Sequence, residues 1–101
     1  MGIRVSETEM SSDECPVFAE LVAPGEWRIG PVEFFGALCR ERLFTPDQAT
    51  SAMVLGELVY RGRDADPARY DVLYGIYSGE IGLYPPASSA WERHDDPEIG
   101  R

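Results

Sequence analysis

The sequence predicts a small, mainly α domain of about three helices with a short N-terminal β-hairpin, α+β being the alternative arrangement. Three observations lead there. A Thr-Pro start and an Arg-Gly stop bound an almost wholly apolar stretch at 46–61. An Asp-Pro pair opens a further helical segment at 67. A Pro-Gly turn at 24–25 separates two short runs rich in β-formers.

The central stretch carries the clearest signal. Thr45 is a good N-cap, Pro46 suits the first helical position, and Gln48 completes a capping box with Thr45. Asp47 lies at the positive end of the helix dipole and Arg61 at the negative end. Gly62 suits a left-handed residue just past the C-terminus. The predicted helix, 46–61, is about 24 Å long at 1.5 Å per residue. From Ala49 to Tyr60 its only charge is Glu57. A helix apolar nearly all round is buried in its own domain or in a partner. It is too short to cross a membrane, which takes about 20 apolar residues. Ala52 and Gly56, four apart, would let another backbone approach closely.

The other elements follow in order. Residues 1–14 are polar and acidic and are expected as a tail or one edge strand. Residues 17–22 alternate weakly, and Ala23-Pro24-Gly25-Glu26 reads as a type II turn returning into Trp27-Arg28-Ile29. That turn type suits tight hairpins poorly, so loose pairing is expected. Pro31 and Glu33 open a helix to about Leu43, with Val32, Phe35, Leu38, Cys39 and Arg42 on one side at helical spacing. Leu43-Phe44 would lead straight into the Thr45 cap as a tight αα unit. Residues 67–78 read as a helix with Tyr70, Leu73, Ile76 and Tyr77 inward and Gly79 closing it. A strand is the rival there, because Tyr70, Val72, Tyr74 and Ile76 alternate. The globular domain is set at 15–86, between acidic flexible tails at 1–14 and 87–101.

A chain of 101 residues makes one domain. Its net charge of −9 argues against nucleic acid, whose phosphates call for clustered Lys and Arg. Residues 1–20 carry −4, residues 87–101 carry −2 and the middle only −3. The acidity therefore concentrates toward the ends, which weakens any reading as a DNA mimic. The chain has no Lys and no Asn, whose codons are AT-rich; a GC-rich bacterial or phage genome is inferred. Cys15 and Cys39 are expected as free thiols in a reducing cytoplasm.

Catalytic and metal constellations are weak. Cys39 and the single His, His94, could form a nucleophile and base, but Cys39 falls on an apolar stripe. His94-Asp95-Asp96 with Glu98 lacks a scaffold for a metal, and Asp64-x-Asp66 lacks the remaining residues of a calcium loop. Gly75, Gly79 and Gly82 do not have phosphate-loop spacing. No catalytic residue, cofactor or metal is expected.

The aromatic set is the most suggestive feature. The expected partner-binding residues are Trp27, Phe34, Tyr60, Asp64, Asp66, Tyr70, Tyr74, Tyr77 and Tyr84. Tyr and Trp are enriched at binding hot spots. The leading functional expectation is a small acidic, non-enzymatic, cytoplasmic interaction protein. It would bind another protein or itself as a homodimer, as inhibitors, immunity proteins, antitoxins and assembly chaperones do. The alternative is a small-ligand domain or enzyme subunit with a pocket lined by Tyr60, Tyr70 and Tyr74. A helical nucleic-acid regulator using Arg61, Arg63 and Arg69 is the third reading.

Overall fold

Residues 2–85 are described by a computed structural model, and they form an α+β domain rather than a mainly α one. Four strands come first: β1 (Ile3–Val5), β2 (Glu9–Ser12), β3 (Phe18–Ala23) and β4 (Glu26–Gly30). They pair antiparallel in chain order as a meander. The N-terminal segment, expected as a tail or one edge strand, thus supplies two strands, β1 at the edge and β2 beside it. The expected C-terminal tail, 87–101, lies outside the described residues.

The hairpin of β3 and β4 forms where the turn chemistry placed it. Gly25 has a φ of 73°, which suits the third residue of a type II turn. Ala23 pairs with Glu26 across it, and the register shifts between Leu21 and Ala23. That irregularity absorbs the mismatch between this turn and the strand twist. The sheet alternates as a half-buried antiparallel sheet should. Met10, Ala19, Trp27 and Ile29 are buried, while Phe18, Glu20 and Arg28 are exposed.

The predicted helix from Pro31 to Leu43 is instead two short pieces, α1 (Val32–Phe35) and α2 (Leu38–Glu41). Gly36 parts them at a φ of 91°, in the left-handed half of the map that only glycine adopts readily. The break buries Phe34 and Phe35 together and leaves Leu38 exposed. The chain then extends, and Phe44 exchanges two backbone hydrogen bonds of 2.8 Å with Trp27 on the free edge of β4. The direct αα junction expected at residues 43–45 is therefore replaced by an extra bridge on the sheet.

The central helix α3 (Pro46–Arg61) keeps its predicted bounds. Its capping box is complete: Gln48 N donates to Thr45 Oγ1 at 3.1 Å, and Thr45 N donates to Gln48 Oε1 at 3.0 Å. Gly62 has a φ of 89° and ψ of 174°, outside the left-handed helical well, and its N–H donates to Leu58 O and Val59 O. The last helix, α4 (Pro67–Ile81), starts at the Asp66 cap and runs through Gly79 to a left-handed Gly82. Gly79 makes no stop because an exposed glycine costs a helix only about 1 kcal/mol, less than its neighbours recover by packing.

The layering explains the composition of α3. One side of it packs on β2, β3 and β4, and another packs on α4. With a layer on each side, it has little use for a polar face. Ala49, Ala52, Met53 and Leu55 are each wholly buried. Gly56 lies against Val17, the residue just before β3: a Cβ built there would lie 2.5 Å from Val17 Cγ1. Gly56→Ala should therefore destabilise the domain by about 1–3 kcal/mol through overpacking, measured by urea unfolding.

Candidate functional site

The one charge inside the apolar run of α3 is provided for. Glu57 is only 5% exposed. Its Oε2 accepts from Ser12 Oγ at 2.6 Å, and Arg61 Nη2 lies 3.7 Å from its Oε1. Arg61 also donates twice to Glu14, at 3.1 and 2.7 Å. A buried carboxylate is tolerated only when so paired. The cluster ties β2 to α3, and the Arg61 guanidinium holds the Glu14 carboxyl below its usual range. Arg63 does the same for Asp71, with two bonds of 2.9 Å. Both carboxyls have lowered folded-state pKa values. Each pair therefore contributes at neutral pH and loses its contribution as pH falls through that lowered value. Two of the three arginines considered for nucleic acid are thus already engaged by carboxylates.

The nine residues expected to meet a partner do not form one patch. Trp27, Phe34 and Tyr70 are buried in the core, where they hold the fold together. Tyr70 stacks on Tyr74 with ring centroids 5.9 Å apart, and burial raises the pKa of both phenols. Tyr74 is half-buried, and its hydroxyl donates to Pro85 O. Asp66 is exposed but serves as the cap of α4, its Oδ1 accepting from Arg69 N at 3.1 Å. Asp64, Tyr60 and Tyr84 are exposed. Tyr77 is half-buried in a cleft of about 390 Å³ between α3 and α4. Val54, Leu58, Leu73 and Ile3 also line this cleft, with Glu57, Arg61 and Arg69. Tyr60, Tyr70 and Tyr74, expected to line a pocket together, are not among its walls.

The thiols of Cys15 and Cys39 are free and buried, and desolvation pushes both above the usual thiol range. A thiol so placed is a poor nucleophile. His94 and its acidic neighbours lie outside the described residues. Among the described residues, no three His, Cys, Asp or Glu side chains gather as a metal site. No helix among them is long and apolar enough to cross a membrane.

The surface that sequence reasoning missed is the outer face of α4. Its inward side is Tyr70, Tyr74, Tyr77, Ser78 and Ile81, with Leu73 half-buried on the wall of the cleft; of the residues expected inward, Ile76 alone is exposed. That rotation leaves Val72 60% and Ile76 55% exposed, with Gly75 and Gly79 beside them. Tyr84, just past the helix, is 66% exposed. The signal was present as an i, i+3, i+4, i+7 set at 72, 75, 76 and 79. It was hidden because the opposite side of α4 is equally apolar.

No protein-family model, no curated protein and no solved structure matches this chain.

Proposed function

We propose that the protein is a non-enzymatic interaction domain that works by binding a partner protein, or a copy of itself, through the outer face of α4. One observation carries the reading. Val72 and Ile76 stand more than half exposed, one turn apart, on a helix whose other side is already packed. Grouped exposed apolar residues of this kind mark interaction sites. Inhibitors, antitoxins, immunity proteins and assembly chaperones of bacteria or phages act by such contacts. A reducing, cytoplasmic setting goes with this reading, since both core cysteines are free thiols.

The test is site-specific photo-crosslinking. A benzophenone amino acid placed at Ile76 in the living host should give a discrete crosslinked protein band, and one placed at Asp47, exposed at the start of α3, should not. Equal or absent crosslinking at the two positions would remove the reading.

A second reading, a small-ligand site, is favoured by the cleft between α3 and α4. Its volume of about 390 Å³ lies within the usual range for ligand pockets. Its apolar walls next to Arg69 suit an amphiphile with an anionic head.

A further inference from the structure

The outer face of α4 is complementary to itself in both shape and charge. Gly75 and Gly79 are helix-interior glycines, and a Cβ on either would meet nothing within 4 Å. Packing within the domain therefore gives no reason for them, although glycine is the poorest helix former after proline. On this face they alternate with the two branched residues, Val72 and Ile76. Turning the helix over about a two-fold axis perpendicular to it, level with Gly75 and Ile76, brings Val72 opposite Gly79 of the second copy. The same rotation keeps Ile76 on its own side of the interface and sets it against Ile76 of the second copy. Each Val72 then faces a glycine, which lets the two helices come within the usual separation of about 8–10 Å while the two Ile76 side chains meet at the axis.

The charges obey the same rotation. Arg69 and Glu80 are eleven positions apart, so they project from one side of the helix, about 16 Å apart along it. Both are exposed, and neither has an ion-pair partner among the described residues. A perpendicular two-fold axis keeps a side chain on its own side and reverses its position along the helix. Arg69 of one copy therefore comes within about two residues, or ~3 Å along the axis, of Glu80 of the other. Asp71, on the opposite side, is already held by Arg63. The face is thus locally neutral on a chain of net charge −9. A basic partner drawn by that charge would find no acidic row here, whereas a second copy finds its own complement.

We infer that α4 pairs antiparallel with α4 of a second copy, giving a two-fold dimer sealed by Val72 against Gly79, by Ile76 against Ile76 and by two Arg69–Glu80 ion pairs. The inference rests on the reading of α4 as the binding face and names the partner. One helix face per copy is a small interface, so the dimer belongs to the weak, reversible class.

Sedimentation equilibrium of the full chain, from micromolar to millimolar concentration, tests it. The wild type should show a reversible monomer–dimer equilibrium, and Val72→Arg should abolish it while leaving the circular dichroism spectrum unchanged. Arg69→Glu and Glu80→Arg should each weaken association by about tenfold or more, since each sets like charges opposite one another twice. The double variant Arg69→Glu/Glu80→Arg should regain wild-type association to within about threefold. That rescue separates a specific ion pair from general stickiness. A wild type that stays monomeric throughout, or charge variants that are not rescued in combination, would overturn the inference. A monomer that turns dimeric only on deletion of residues 87–101 would overturn it as well, by giving the face to the chain's own end. A monomer that still crosslinks a different protein through Ile76 loses only the self-pairing. One that crosslinks nothing loses the binding face too.

Discussion

Met53→Glu should unfold the domain. Met53 has no exposed surface and lies on α3 between the sheet and α4. The substitution removes a wholly buried side chain, at a cost of about 2–5 kcal/mol. It also strands a carboxylate in the core without the kind of partners that Glu57 has, which adds several kcal/mol more. A domain this small has a net stability toward the low end of about 5–15 kcal/mol. The sum exceeds it. Far-ultraviolet circular dichroism with urea titration should show a chain mostly unfolded without denaturant. Leu58→Glu is the control: Leu58 is only half-buried, on the wall of the cleft toward α4, so its new carboxylate reaches water. It should cost about 1–2 kcal/mol and leave a folded protein. A folded Met53→Glu monomer would mean that α3 is an interface rather than core.

Phe34→Ala should cost about 3–5 kcal/mol. Sequence reasoning set Phe34 among the residues that meet a partner as one of the aromatic set. The break at Gly36 turns it inward, where it is among the largest fully buried side chains and packs edge-on to Phe35 with ring centroids 4.8 Å apart. At about 4–8 °C per kcal/mol for a domain of this size, the midpoint of thermal unfolding should fall by at least about 12 °C. Tyr84→Ala, at an exposed position, should change stability by no more than about 0.5 kcal/mol. Comparable melting points for the two variants would contradict the placement of Phe34.

The contrast shows what was legible in the sequence. The ends of α3 were, because capping is local chemistry: Thr45, Pro46 and Gln48 specify the start whatever the rest of the chain does. The start of α4 was legible for the same reason, through Asp66 and Pro67. The β3–β4 hairpin was also legible, because Pro24-Gly25 dictates a turn. The strands β1 and β2 were not. Among the residues of β2 only Met10 is fully buried, and β1 has no fully buried residue at all. They are held by backbone pairing to a neighbour, as between Met10 and Ala19, and by the Ser12–Glu57 bond, and neither leaves a hydrophobic period in the sequence. Missing them made the chain look mainly helical, and the apolar surface of α3 then had no layer to cover it.

The candidate site was less legible than the fold. Which aromatic residues reach the surface depends on how each helix is rotated about its axis. In α4 both sides are apolar, so hydrophobic pattern alone does not fix that rotation. The inward choice is made by packing: Tyr70 and Ile81 are buried, and Tyr74 closes onto Pro85. Arg42 adds to it from the segment after α2, donating to Ile81 O at 3.0 Å at the helix C-terminus. Ile76 is turned outward as a consequence, and the proposed interaction surface is therefore the Val72–Ile76 face rather than the aromatic residues.

The central claim is that α3 is the core of a self-contained domain and that association uses α4. Amide hydrogen exchange resolved by residue, at two protein concentrations, tests it most directly. The account predicts that the amides from Ala52 to Val59 are among the slowest to exchange, opening only with global unfolding, in the monomer as in any dimer. Amide protection that changes with concentration should be confined to α4 around Val72 and Ile76. Amides of α3 that exchange quickly in the dilute protein and become protected only as concentration rises would contradict it.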